Sequence, residues 1–249
     1  MIKAINLKKD FGDFIAVNSI NLDVKAGEIY GFLGPNGAGK TTTMRMLTGI
    51  IKPTSGNVEI IDKNLFNNEL EIKSKIGVVP DEPKMYENLK GTEYVEFIMG
   101  IFKANNEETK NRFDEICEAF NIDYLNDYIG DYSHGMKQKL MVATVLMRKP
   151  EVIFLDEPTV GLDARAAKIL KSLLEKYKNE GTTIFLTTHI LEIAEKMCDR
   201  IGIIKDGSIL AEGTMDDLRS MTDKENQSLE DIFLELTGGD EFGDIIKEL

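Results

Sequence analysis

The sequence predicts an α/β fold: a mostly parallel sheet flanked by helices, an N-terminal antiparallel β subdomain, and a helical lobe inserted into the core. Three observations predict it. Short, wholly apolar runs such as 152–155 alternate with helical patterns, as strands buried on both faces of a parallel sheet do. The first 24 residues alternate apolar and polar with period two, the pattern of a half-exposed antiparallel sheet. Between about residues 82 and 147 strand patterns vanish and helical spacing takes over.

In chain order, 2–7 reads as a strand, Phe11-Gly12 as a turn, and 14–24 as a second strand with Ile15, Val17, Ile20, Leu22 and Val24 on its apolar side. Ala26-Gly27 turns the chain into a short buried strand, 28–33. A helix over 41–50 carries Met44, Met46, Leu47 and Ile50. Pro53 and Gly56 mark a loop, followed by a strand at 57–61, a helix at 69–75 and a strand at 76–79 that Pro80 ends. In the lobe, Thr92 caps a helix bearing Tyr94, Val95, Phe97, Ile98, Ile101 and Phe102. Further helices are expected over 107–120 and 135–147. The core resumes with the strand 152–155, a helix at 164–178, a strand at 182–187 and a helix at 190–198. Two short strands around Asp206-Gly207 and a brief helix at 213–220 complete it. Residues 222–249 hold nine acidic and two basic side chains, a net of −7. Within them Ser228 caps a helix with Leu229, Ile232, Phe233 and Leu236 on one face, so part of this tail docks on its own domain or on a partner.

At 249 residues the chain can bury a large core, as one α/β domain or a domain with a lobe. A net charge of −13 argues against a nucleic-acid binder, which would show a basic face. Cys117 and Cys198 lack metal-ligand spacing and fit two free thiols in a reducing compartment. No apolar run approaches the roughly 18 residues of a membrane span, and the N-terminus shows no secretory apolar block. Work at a membrane would require another protein to hold this one there.

Gly34-Pro35-Asn36-Gly37-Ala38-Gly39-Lys40-Thr41 fits G-x-x-x-x-G-K-[ST], with Thr42 next along, and it stands between an apolar strand and a helix as a phosphate-binding loop requires. The glycines let several backbone N–H groups converge, and the new helix aims its positive end at the same point. Lys40 adds a full charge for the β- and γ-phosphates, and the Thr41 hydroxyl can ligate Mg²⁺. The expected core is therefore that of a P-loop NTPase. Asp156 and Glu157 end an apolar strand at the same sheet edge, where Asp156 can hold Mg²⁺ and Glu157 can polarise the water attacking the γ-phosphate. His189 follows the strand 182–187 and falls at that edge too. A lone histidine is more often structural, and spacing leaves both roles open.

These motifs, in this order, resemble the ATP-binding subunit of an ABC transporter over at least residues 2–213. Gly161-Leu162-Asp163 matches the loop that crosses between subunits, and His189 matches the switch histidine. Phe11 occupies the position of the adenine-stacking aromatic, with a core phenylalanine as the alternative. Tyr132-Ser133-His134-Gly135-Met136 stands where the family has L-S-G-G-Q. It keeps Ser133, able to cap the helix near Gly135, and it departs at three positions. The resemblance implies that this helix end faces ATP held by another subunit. Two chains then clamp two ATP molecules head to tail, the second being another copy or a paralogous ATP-binding subunit. Asp81 replaces the usual glutamine, and a carboxylate there is a harder metal ligand than an amide. Asp81, the signature variant and the acidic tail together resemble the drug- and antibiotic-exporting branch. The implied protein is an ATPase using ATP and Mg²⁺, cytoplasmic and peripheral at the inner membrane face, driving a separate integral-membrane permease and binding no nucleic acid. Its expected organisation is an ATP-binding domain over 1–213, with the lobe inside it, and an acidic, partly helical extension over 214–249. A soluble ABC-type mechanoenzyme is the other class considered. Such proteins usually carry two ATP modules, a long coiled coil or basic arms, none of which the sequence contains. A regulatory module with little turnover is disfavoured by Glu157 and His189.

Overall fold

A computed structural model describes residues 1–221 and 228–237. Two sheets organise the chain. The first is antiparallel and contains β1 (Ile2–Asp10), β2 (Ile15–Val24), β4 (Ser55–Ile60) and β5 (Lys63–Asn64), in the order β2-β1-β4-β5. The second contains β3 (Ile29–Leu33), β6 (Ile76–Val79), β7 (Val152–Asp156), β8 (Thr183–Thr188), β9 (Arg200–Lys205) and β10 (Ser208–Gly213). Its order is β10-β9-β3-β8-β7-β6, parallel throughout except for the edge strand β10.

The central strands are apolar on both sides because both faces are covered. Ile29, Ile153 and Ile184 point to one face and pack with the helical lobe. Their neighbours Tyr30, Phe154 and Phe185 point to the other and pack against the antiparallel sheet and α1 (Lys40–Leu47). On that second face Phe185 lies between the rings of Phe32 and Phe154, with centroids 5.6 and 5.9 Å away, and stacks on Tyr30. The phosphate-loop strand thus stands on a rigid aromatic layer.

After α2 (Glu69–Lys75), the lobe inserted between β6 and β7 consists of α3 (Gly91–Ile101), α4 (Glu107–Phe120) and α5 (His134–Leu146), with a 3-10 turn at Ile129–Asp131. Beyond β7 come α6 (Ala164–Asn179), α7 (Leu191–Met197), α8 (Met215–Ser220) and α9 (Leu229–Thr237). The buried Leu229 and Ile232 of α9 join Ala194 of α7 and Leu218 of α8 in a third apolar cluster. Ser228 caps α9 as expected, accepting the Asp231 N–H at 3.2 Å, and this part of the tail docks on its own domain. The remainder of the acidic tail, 222–227 and 238–249, lies outside the described residues.

The structure corrects several local readings. Thr92 does not cap α3; Lys90 is the capping residue, and its N–H donates to the Glu93 carboxylate at 2.8 Å. The alternation of β2 slips. Val17, Ile20, Leu22 and Val24 are buried as expected, but the β1–β2 register shifts between Lys9 and Asp10, and there Ala16 is buried beside Val17 while Ile15 is exposed. The phosphate-loop helix ends at Leu47, and Ile50 is exposed in the turn that follows. Helix α5 starts at His134 rather than Gly135, because Ser133 takes the capping position.

Candidate phosphate-loop site

Parallel register brings the site together. Asp156 at the end of β7 pairs with Thr187, and Leu33 at the end of β3 pairs with Thr188. The phosphate loop, the Asp156-Glu157 pair and His189 therefore emerge from one sheet edge, although Leu33 and His189 are 156 positions apart in sequence.

The loop's shape follows from close approach. Gly39, at φ +107°, is the capping residue of α1, and an added Cβ there would lie 2.5 Å from the Ala16 carbonyl oxygen. At Gly34 it would lie 2.3 Å from the Ile204 carbonyl oxygen. Only glycine fits either position. The Lys40 ammonium is buried and donates to the Gly34 and Pro35 carbonyls at 2.7 and 3.2 Å, within 3.8 Å of Glu157 Oε1. Burial lowers its pKa, against the pull of Glu157 and Asp156. Pro35, Asn36, Gly37, Gly39, Lys40, Thr41, Thr42, Asp81 and Glu157 line one cleft of about 200 Å³. Ala38 is buried and accepts the Gly207 N–H through its carbonyl.

Asp156 is only 3% exposed. Burial pushes its carboxyl above the usual range, opposed by hydrogen bonds from the Thr187 and Thr41 side chains. Glu157 adopts a left-handed conformation, φ +46°, rare for a non-glycine residue. Its carboxylate meets His189 twice: Oε1 lies 2.9 Å from Nδ1, and Oε2 accepts the His189 N–H at 3.3 Å. Lys40, Glu157 and His189 form a continuous chain of opposite charge and hydrogen bonds at the cleft. Among the described residues no three His, Cys, Asp or Glu side chains form a metal-binding cluster. The Asp156 carboxylate and Thr41 hydroxyl are nevertheless hard oxygen donors of the kind Mg²⁺ takes when it keeps waters and phosphate oxygens as its other ligands. The residues present fit that ion.

Four expected binding residues, Ser133, Gly135, Asp163 and Phe11, are not among those lining this cleft. Ser133 accepts the Met136 N–H at 3.2 Å and caps α5. A Cβ on Gly135 would meet the Gly161 carbonyl oxygen at 2.6 Å, so the signature turn packs on the loop before α6. Asp163 caps α6, accepting the Ala166 N–H at 2.7 Å, which helps hold its pKa low. Phe11 is exposed with the Lys9 ammonium 5.0 Å above its ring and is absent from the cleft lining. Phe14, from the same turn, lines the cleft instead. Sequence reasoning missed Phe14, although a second aromatic three residues on was the available signal. It also missed Thr187, one of three threonines in the buried strand β8, which nothing in the residue order distinguishes from Thr183 and Thr188.

Comparison with known proteins places these features in context. The family described as ABC transporter matches residues 17–160. The bacitracin transport ATP-binding protein BcrA of Bacillus licheniformis is 42% identical over 229 residues, 90% of this chain and 73% of that protein. Among solved structures, the ATP-binding subunit of an ABC transporter superimposes with a TM-score of 0.91 at 28% identity, covering 95% of this chain and 99% of that one. The dimeric post-hydrolysis state of the cassette MJ0796, bound to ADP and Pi, has a TM-score of 0.75 at 28% identity, over 86% of this chain and 99% of that one.

Proposed function

The chain belongs to the ABC transporter family of ATP-binding subunits, ATPases that work as dimers, and on that premise we propose that it powers export of a drug-like or antibiotic cargo through a separate membrane permease. The bacitracin-transport relative supports the branch. No described helix is long and apolar enough to cross a membrane, so a cargo path needs other subunits. The inner membrane face is then where this chain works. A mechanoenzyme on a non-membrane partner is not favoured by relatives that serve transporters.

The observation that carries the mechanism is the Lys40–Glu157–His189 chain at the mouth of the glycine loop. Convergent N–H groups of residues 37–41 and the start of α1 receive the β- and γ-phosphates, and Lys40 neutralises them. Glu157 accepts a proton from the attacking water, and His189 orients its carboxylate. Asp156 and Thr41, with Asp81 across the cleft, would hold Mg²⁺, which when bound supplies charge neutralisation at the phosphate oxygens. Phe14 lines the cleft, where an adenine ring can stack on it, and the exposed Phe11 three residues earlier offers a second aromatic face. Ser133, Gly135 and Asp163 do not line the cleft of their own chain, which supports their acting on that of a second one, where the positive end of α5, about half a charge, meets the γ-phosphate. Residues 1–213 carry this machinery, and 214–249 form an accessory extension. The test is purification of the tagged chain from its native membranes. A polytopic permease should co-purify; recovery of the chain only from the soluble fraction, with the permease gene expressed, would overturn the assignment.

A further inference from the structure

We propose that Thr187 is a positioning residue for both carboxylates of the site, fixing Asp156 through its hydroxyl hydrogen and Glu157 through its hydroxyl and carbonyl oxygens. It is fully buried at the end of β8, directly opposite Asp156 in the parallel register. Its hydroxyl donates to Asp156 Oδ1. The same oxygen accepts the Glu157 N–H at 3.3 Å, and the Thr187 carbonyl accepts that N–H at 3.1 Å. The polarity of this arrangement cannot be reversed: a backbone N–H only donates, so the hydroxyl hydrogen is left for the carboxylate.

A hydroxyl buried in an apolar strand is unfavourable unless partnered, and valine would fill the same volume. Thr187 satisfies both its donor and its acceptor at this one junction, whereas the buried Thr43 and Thr159 hydroxyls have no partner. What it holds is also unusual. Glu157 is in the left-handed region, a conformation that persists only when its surroundings over-determine it. Two residues beyond Thr187, His189 grips the Glu157 carboxylate from the same strand end. The end of β8 therefore fixes Glu157 at its main chain through Thr187 and at its side chain through His189. Removing the hydroxyl leaves the Asp156 carboxylate held by the Thr41 side chain alone and the Glu157 N–H with a single acceptor, while the phosphate loop, built on β3 and α1, keeps its own contacts.

This inference rests on the assignment of Glu157 as the general base. The experiment measures phosphate release and nucleotide affinity for the full-length chain and for Thr187→Val, Thr187→Ser and Glu157→Gln. Thr187→Val should lower kcat about tenfold with KM for ATP within about twofold, and raise the Mg²⁺ concentration needed for half-maximal rate. Thr187→Ser should recover most of the rate. Retained nucleotide affinity in Thr187→Val shows that the variant is folded. An unchanged kcat in Thr187→Val, or an equal fall in Thr187→Ser, would overturn the positioning role. Undiminished turnover in Glu157→Gln would instead overturn the base assignment, whatever the threonine variants do.

Discussion

Replacing Gly39 by alanine asks two separable things of the phosphate loop. At φ +107° and ψ 4° an L-residue is strained, at a cost of about 1–3 kcal/mol. The new Cβ would also lie 2.5 Å from the Ala16 carbonyl oxygen, a backbone atom of β2, so loop or strand must move by about 1 Å to regain contact distance. Overpacking of this kind adds about 1–3 kcal/mol. Gly37→Ala separates the terms, because Gly37 has φ +81° but nothing within 4 Å of the added carbon. Gly100→Ala, in open space on α3 with no positive φ, carries neither and should stabilise by about 0.5–1 kcal/mol. At about 2–4 °C per kcal/mol for a chain of this size, Gly39→Ala should melt roughly 5–15 °C below the parent, Gly37→Ala a few degrees below, and Gly100→Ala slightly above. Thermal melts monitored by circular dichroism and titration with a fluorescent ATP analogue read both consequences. Gly39→Ala should also lose about 100-fold in affinity, since a shift of that size disperses the converging N–H groups. A Gly39→Ala protein that melts and binds like the parent, or Gly37→Ala proving the more damaging of the two, would refute the reasoning.

Three further outcomes can be checked directly. Ser133→Ala removes the cap of α5 and should lower turnover while leaving nucleotide affinity of the isolated chain unchanged; equal affinity and equal turnover would dissociate this helix end from hydrolysis. Phe14→Ala should weaken ATP binding more than binding of inorganic triphosphate, by up to about 1–3 kcal/mol, and Phe11→Ala less so; equal losses for ATP and triphosphate would exclude base stacking. Burial pushes the Cys117 thiol up to about 12 and raises Cys198 as well. At pH 8 Cys117 should label roughly 10³-fold more slowly than free cysteine, Cys198 should also be slowed, and both should reach free-cysteine rates in denaturant; rapid labelling of the native chain would show an open core.

Much of this molecule could be read from residue order, for reasons that differ by element. The phosphate loop was legible because its glycines answer to local geometry: Gly34 and Gly39 are fixed by backbone atoms that leave no room for a side chain. The strands at Ile29–Leu33 and Val152–Asp156 were legible because burial on both faces erases alternation. In β2 the expected apolar side chains Val17, Ile20, Leu22 and Val24 are buried and only Ile15 is exposed, because the β1–β2 register shifts between Lys9 and Asp10, which nothing in the strand's own residues announces. The cap of α3 misled because Glu93 completes it from inside the helix, through the main chain of Lys90, rather than through a capping side chain. His189 was ambiguous in sequence, and the structure sets its imidazole against Glu157 through a parallel pairing of distant strands that spacing does not reveal. Thr187 was invisible for the same reason, since its two partners lie on the neighbouring strand and just beyond it.

The central claim, that one chain's cradle holds the triphosphate and a second chain's Ser133 helix covers it, is tested most directly by the solution mass of Glu157→Gln. Removing the base should slow hydrolysis by about 10²–10⁴ and leave the nucleotide in place. Light scattering with ATP and Mg²⁺ should then report twice the chain's mass, collapsing to a monomer when Ser133 is also replaced by a bulky residue. A Glu157→Gln protein that is saturated with ATP yet remains monomeric would contradict the claim.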